Sequence, residues 1–346
     1  MKLSIIVLFC DRDYRYLSYL LDIIHDRVSI DYEIILIDNR ENNHDEIDTN
    51  GCTYYAFGFN ATQVQGRKKG IELATGDYIW FVDGDDEIVS ITSLEAQLME
   101  HDYDIIHFGG REDKLQTTDI LNYGTLNTIG VMLWNKWIKT SILRRVEELI
   151  PTDLYGSASE DTMLTIGSMK FSKTIYHSTK RIYIYIRERS CAATKKIESV
   201  AHYQRIINGY DKVFAQIVRM LDKDEQDLIR GPGQKGTDCK WFIEKLAICT
   251  DEIRGECAQI FCQYFTSEEF RETWLKYSIT APLYVSKEEY NKLKNSLKQY
   301  MPEAYRKHLD ARSVIKEWGE VNGQKVCRRE IVQIWPRWDM NGLNQR

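Results

Sequence analysis

Gly66-Arg67-Lys68-Lys69-Gly70-Ile71-Glu72-Leu73-Ala74-Thr75-Gly76-Asp77-Tyr78-Ile79-Trp80-Phe81-Val82-Asp83-Gly84-Asp85-Asp86 is the stretch on which the fold turns. Its first part reads as a helix from about Gln63 to Ala74, with Gly76 placed to end it in a left-handed conformation. Tyr78 to Val82 carries no charged residue, as a strand covered on both faces requires. That strand runs straight into carboxylates. Side chains two apart in an extended segment point the same way, so Asp83 and Asp85 are expected to share one ligand. Gly84 leaves room for a phosphate or sugar against the backbone. Three ionised carboxylates this close repel one another, and a divalent cation such as Mg²⁺ or Mn²⁺ relieves the repulsion. The blander reading is a solvated Asp-rich turn, and a D-x-D alone does not decide between the two.

Outward toward the N-terminus, residues 3 to 10 form another apolar run. It resembles a short secretion-signal core but is followed at once by Asp11, Arg12 and Asp13. A buried first strand explains it better. Leu17, Leu20, Leu21 and Ile24 repeat at helical spacing, with Asp13 as N-cap. Ile34 to Ile37 reads as a second strand, and residues 39 to 51 as a polar loop ending in Asn50-Gly51. Ser93 to Met99 reads as helix and Asp104 to Phe108 as strand. Alternation of this kind predicts a mostly parallel sheet with helices on both faces. Ligands of such sheets bind beyond the carboxyl ends of the strands. Asp38 and the Asp83 cluster both fall there.

Beyond Val200 the pattern turns helical. Tyr203, Ile206, Ile207, Tyr210, Val213, Phe214, Ile217, Val218 and Leu221 trace one face. Gly231-Pro232-Gly233-Gln234-Lys235-Gly236 reads as a linker, followed by helices over about 238–264, 267–278 and 287–300. Thr266 with Glu269 and Ser286 with Glu289 have capping-box spacing. Val326 to Trp338 is aromatic and reads as a strand or a docking tail. Two domains are expected, 1–198 and a mostly helical 199–346, which suits a chain of 346 residues.

Charged residues make up 28% and the net charge is −6. With a pI of about 5.8, no global basic field draws the protein to nucleic acid or anionic lipid. No window reaches the ~18 apolar residues of a membrane span. The eight cysteines lack Cys-x-x-Cys spacing and suit a reducing cytosol. Cys249, Cys257 and Cys262 read as core.

The opening stretch resembles the centre of family 2 glycosyltransferases. There an Arg-bearing helix, a small-Gly-Asp turn and a strand lead into D-x-D. Trp134-Asn135-Lys136-Trp137-Ile138 is similar to that family's W-N-K-L-Y segment. Ser159-Glu160-Asp161-Thr162, followed by Ile182 to Ser190, is similar to its E-D motif and the Y-x-Y-R-x-R-x-S strand beyond. The order and spacing agree over residues 1 to about 195.

The resemblance implies an α/β, GT-A fold, a Rossmann-like mixed sheet. It implies transfer of a sugar from a nucleotide-sugar, UDP-linked, to a hydroxyl with inversion. Asp11, Asp38, Arg67, Asp83, Arg187 and Arg189 would serve the donor. Asp85, with Asp83, would hold Mn²⁺ or Mg²⁺, and Asp161, or Glu160, would be the general base. For Glu160 the rival role is capping a helix that starts at Thr162. Trp134 and Trp137 are candidate sugar platforms or core residues, and His107 and His177 candidate extra metal ligands. The implied acceptor is a glycan in polysaccharide biosynthesis, a lipid-linked sugar or a protein; nucleic acid is less favoured. The expected location is cytoplasmic, with peripheral membrane association and oligomerisation left open.

The chain departs from the family pattern in three places. Asp38 is followed by Asn39 and Arg40 rather than a second acid. Lys68 stands where Asn is usual, and Phe9-Cys10-Asp11-Arg12 replaces Pro-x-Tyr-Asn. A nucleotidyltransferase also pairs carboxylates with a metal, but residues 8 to 16 lack its Gly-rich phosphate loop. A catalytically inactive binding module is the non-enzymatic rival.

Overall fold

The computed structural model describes residues 1–11, 13–41, 49, 51–154, 160–186, 196–229, 242–265, 287–301, 303–306, 311–321 and 324–334. The chain divides into two compact units, one of Met1–Thr194 with Ile206–Ile229, the other of Lys195–Arg205 with Arg230–Arg346.

The first unit is organised by β1 (Leu3–Phe9), in which every residue is buried. The two-residue period of a strand sends its side chains to opposite faces. Ile6 and Leu8 enter one core, while Leu3, Ile5, Val7 and Phe9 enter the other. Strands β2 (Tyr32–Asp38) and β4 (Tyr78–Asp83) flank β1 in parallel. They divide in the same way: Ile35, Ile37, Ile79 and Phe81 on one side, Ile34, Leu36, Trp80 and Val82 on the other. Burial on both faces is why these segments read as unbroken apolar runs.

The full sheet has eight strands in the order β3-β2-β1-β4-β8-β6-β9-β7. It adds β3 (Cys52–Ala56), β6 (Ile105–Phe108), β7 (Lys114–Gln116), β8 (Lys136–Lys139) and β9 (Ile175–Ser178). The sheet is mixed: β8 lies antiparallel between β4 and β6, and β7 antiparallel beside β9. One face is covered by α1 (Tyr14–Arg27) and α3 (Ser93–Glu100). The other is covered by α2 (Gln63–Leu73), α4 (Tyr123–Ile129), α5 (Thr140–Glu148), α6 (Glu160–Phe171) and part of the helix Val200–Met220. A small two-stranded sheet pairs β5 (Glu87–Ile88) with β10 (Tyr183–Ile184).

Two local expectations need correction. Gly76 does not have a positive φ, and α2 ends at Leu73 with Ala74 as its C-cap. The glycine is needed because its backbone packs against β1. A Cβ there would stand 2.7 Å from the Lys2 carbonyl and 2.8 Å from the Ser4 nitrogen. Asp13 occupies the N-cap position of α1 but makes no side-chain cap bond. Its Oδ2 accepts instead from the Cys10 N–H at 3.1 Å.

In the second unit the helix expected over 238–264 is described as helical at 242–247 and again over Asp251–Phe265. It breaks because Ile197 exchanges backbone hydrogen bonds with Ile248 and Thr250, both at 3.0 Å. Cys249, Cys257 and Cys262 are free and buried, as expected of core cysteines. A helix spans Lys287–Tyr300. The expected helix 267–278, with Thr266, Glu269 and Ser286, lies outside the described residues. Of the tail expected over Val326 to Trp338, the part to Ile334 lies in strand β12 (Gln324–Ile334), paired antiparallel with β11 (Ala311–Val321), and 335–338 lie outside the described residues. No helix among the described residues is long and apolar enough to cross a membrane.

Candidate active site

Register brings two acids to one rim. Phe9 at the end of β1 pairs with Asp38, and its neighbour Leu8 pairs with Asp83. Asp38 and Asp83 therefore sit two strand spacings apart, about 10 Å.

Asp38 is fully buried. Arg40 closes on it with Nε at 3.0 and 3.1 Å and a terminal nitrogen at 2.8 Å. The Arg40 backbone N–H adds a bond at 2.9 Å. The Tyr54 hydroxyl donates to the other oxygen at 2.7 Å. Arg40 lies over the Tyr14 ring at 4.3 Å. The Asn39-Arg40 departure thus has a structural meaning: the chain supplies its own counterion to Asp38.

At Asp83 the chain leaves extended geometry. Gly84 N–H donates to the Leu8 carbonyl at 2.9 Å, and Asp86 N–H to the Asp83 carbonyl at 3.2 Å. Asp85 therefore lies in a turn rather than two places along a strand. Gly84 serves the close approach to β1, since a Cβ would stand 2.7 Å from that of Phe9. Asp86 is buried and structural: its oxygens accept from the Tyr183 hydroxyl at 2.6 Å and the Ile186 N–H at 2.7 Å. The Tyr183 oxygen also accepts from the Asp83 N–H at 3.2 Å.

Glu160 and Asp161 occupy the first described turn of α6, which begins at Glu160 and not at Thr162. Arg67, on α2, joins them to the D-x-D. Its guanidinium is 3.0 Å from Asp161, 3.6 Å from Asp83 and 3.7 Å from Glu160. It also lies over the Phe81 ring at 5.3 Å. Burial alone would loosen its proton, but the charges of Asp161, Asp83 and Glu160 hold its pKa raised. Arg67 is itself buried, so its charge is committed to these three acids.

The acids are crowded. Burial, then the charges of Asp13, Asp86 and Asp83, push Asp85 up to about 7. Burial, with Asp161, Asp86 and Asp13, pushes Asp83 up to about 6 against the pull of Arg67. A third of the Asp83 side chain still meets solvent, which screens part of that effect. Burial and Asp161 raise Glu160. Arg67 Nε is buried without a hydrogen-bond partner among the described residues, and the buried Asp161 Oδ1 meets Arg67 as an ion pair without hydrogen-bond geometry.

No group of three His, Cys, Asp or Glu set to hold a metal occurs among the described residues. Asp83 and Asp85 still fit a hard cation. Mg²⁺-type sites commonly use one or two carboxylates and take their other oxygens from phosphate and water. The mutual repulsion here is the kind a cation relieves.

Other candidates fall elsewhere. Asp11 is exposed in the turn after β1. Arg187 and Arg189 lie outside the described residues. Trp137 is fully buried, 6.2 Å from Trp80 and 4.9 Å from Phe108 between ring centroids, and is core. Trp134 is half-buried and stacked on Tyr183 at 4.8 Å. His107 and His177 are buried and meet each other through their Nδ1 atoms at 3.3 Å. Burial, Lys136 and His177 depress His107 to about 3. Lys68 pairs with Glu147 on α5. The sequence reading gave no site role to Asp13, whose charge helps raise Asp85, or to Tyr183, which ties down Asp86. Their local signals, a helix N-cap for Asp13 and the first tyrosine of Y-x-Y-R-x-R-x-S for Tyr183, point to other roles.

Residues 4–155 match the model of glycosyl transferase family 2. No curated protein matches the chain. Among solved structures, residues 1–349 of S. aureus TarS align at 15% identity and TM-score 0.46, covering 95% of this chain and 97% of that one. Its UDP complex aligns at 15% and 0.47 with the same coverage. The UDP-GlcNAc complex aligns at 14% and 0.44, covering 97% and 100%. Likeness at this distance identifies neither a donor nor an acceptor.

Proposed function

We propose that this chain, a glycosyltransferase whose residues 4–155 belong to family 2, moves a sugar from a UDP-linked donor to an acceptor hydroxyl with inversion. The carrying observation is the Arg67 junction, where Asp83, Glu160 and Asp161 converge from β4 and α6 on one buried cation. It places the acids of the D-x-D and E-D motifs beside each other.

Asp161 is the base of this reading. A quarter of its side chain is open, whereas Glu160 is buried against Arg67. A sugar hydroxyl is a weak nucleophile at neutral pH, and a carboxylate in hydrogen-bond reach takes its proton as the new bond forms. Arg67 fixes where Asp161 and Glu160 stand and lets three carboxylates coexist. Asp85, with Asp83, would hold Mn²⁺ or Mg²⁺. When bound, such an ion supplies Lewis-acid charge to the departing diphosphate. Asp11, Arg187 and Arg189 complete the donor side of the proposal. Asp38 joins it through the pair with Arg40 and Tyr54 rather than as a free carboxylate. The acceptor is a glycan, a lipid-linked sugar or a protein.

Calorimetry with UDP-, GDP-, CDP- and TDP-sugars, with Mn²⁺ and with EDTA, tests this reading. Binding of a UDP-sugar that weakens in EDTA is expected. Failure of every nucleotide sugar to bind would sink it.

A further inference from the structure

Lys136 is a fully buried lysine that the chemistry above does not use. Burial lowers its pKa to about 7, with Asp161 pulling the other way. An ammonium out of water is costly unless its donors are satisfied. Lys136 Nζ donates to the carbonyl of Ile129 at 3.0 Å, to the carbonyl of Met132 and to Asn135 Oδ1 at 2.8 Å. Three donors meet three oxygens, all from the arch between α4 and β8. The arch is pinned further by the Asn135 carbonyl, which accepts from the Phe108 N–H at 2.8 Å.

This arch touches both halves of the site. On one side, the Trp134 carbonyl accepts from Trp80 Nε1 at 2.7 Å. The Trp134 ring stacks on Tyr183, whose hydroxyl bonds Asp86 and the Asp83 N–H. On the other side, the Val131 carbonyl accepts from Thr165 Oγ1 at 2.9 Å. Thr165 lies on α6, little more than one turn beyond Glu160 and Asp161.

We propose that Lys136 is a positioning residue: it folds the 129–136 arch into the brace that sets the D-x-D turn against the Glu160–Asp161 turn. It touches neither donor nor acceptor. This inference rests on the reading of the site as a sugar-transfer centre. Its cost when lost is geometric, because a displacement of about 1 Å between reacting groups can cost roughly a hundredfold in rate.

The test needs no known acceptor. Release of UDP to water is followed with UDP-glucose, UDP-galactose and UDP-N-acetylglucosamine in Mn²⁺, beside donor affinity by calorimetry and unfolding by circular dichroism. Lys136→Met is expected to lower kcat about a hundredfold while donor Kd stays within about threefold. Thr165→Val cuts only the α6 strap and should lower kcat about tenfold with its Tm near wild type. The double variant should be no slower than Lys136→Met, because linked contacts are not additive. Folded Lys136→Met with kcat within about threefold of wild type overturns the proposal, as does a loss confined to donor affinity. Should Lys136→Met not fold, Thr165→Val decides: unchanged kcat overturns it, and a fall with retained Tm supports it. Wild-type protein that turns over no UDP-sugar sinks the donor reading. Wild type that turns over while both variants keep pace sinks only the brace.

Discussion

The two ends of the same sheet treat acids in opposite ways. At the end where β2 begins, Glu33 accepts from Lys2 Nζ at 2.8 Å, from Ser4 Oγ, from Thr75 N–H and hydroxyl at 2.7 Å each, and from Gly76 N–H at 3.1 Å. Burial would raise its pKa, but the bonds from Lys2, Ser4 and Thr75 outweigh it and hold it down to about 2. At the other end Asp83 and Asp85 sit among like charges, pushed up to about 6 and 7. Among the described residues Arg67, pulled three ways, offsets the crowd at Asp83. One end spends its hydrogen bonds on the fold; the other crowds its acids together. Crowding of this sort marks functional sites.

If that contrast is right, substitutions at the two ends should separate activity from stability. The largest effects belong to Asp161→Asn and Asp85→Asn. Removing a general base costs about 10² to 10⁴ in rate. Asp161→Asn should lose sugar transfer, or UDP release, by that factor with its fold intact. Asp85→Asn should lose activity comparably while its Tm matches or exceeds wild type, because a repelling charge is gone. A Tm collapse in Asp85→Asn would mean the acid is structural, and the contrast would fail.

Next is the metal. Mn²⁺ in large excess over its Kd should raise Tm, since a ligand at a hundredfold excess adds about 2.7 kcal/mol. EDTA should reverse the rise, and Asp85→Asn should abolish it. Equal response of wild type and variant to Mn²⁺ would move the cation elsewhere.

Legibility followed the same divide. Asp38 and Asp83 could be read because each ends an apolar strand, and Asp85, Arg67, Glu160 and Asp161 because they stand in patterned motifs. Their convergence on one guanidinium could not be read, since α2 and α6 are about 90 residues apart and only tertiary packing joins them. Asp13 read as an ordinary helix cap, whereas packing brings it beside Gly84 of the D-x-D turn. Tyr183 looked like one more strand aromatic, and its bond to Asp86 spans 97 residues. Strand β8 was hidden by its lysines: Lys-Trp-Ile-Lys is too short and too charged to read as interior. The Arg40 lock on Asp38 was visible only as a departure, because a side chain two residues on can turn back or face solvent.

Gly76 tests the quiet end without touching an acid. An alanine Cβ would press on the Lys2 carbonyl, the Ser4 nitrogen and Ser4 Oγ, all within 2.8 Å. Two of these are backbone, at Lys2 just before β1 and at Ser4 within it, and cannot rotate away. Overpacking of this kind costs about 1–3 kcal/mol, so Gly76→Ala should lower ΔG of unfolding in urea by that amount. Its kcat, measured well below the new midpoint, should stay within about twofold. A variant as stable as wild type would show that the edge of β1 gives way easily.

The smallest effect is expected at Glu33. Its depressed carboxyl stays charged where the unfolded chain already takes up a proton. The stability it contributes is therefore complete above about pH 4.5 and is lost as the pH falls through the interval down to about 2. Lys2 is a third exposed, so solvent screens part of the pair, and the contribution is about 1 kcal/mol. Glu33→Gln should lose that amount at pH 7 and show a flatter decline in stability between pH 4.5 and 2.5, by urea titration at each pH. Wild type and variant that decline in parallel would mean Glu33 is not the acid-sensitive anchor. The contrast would then rest on the crowded end alone.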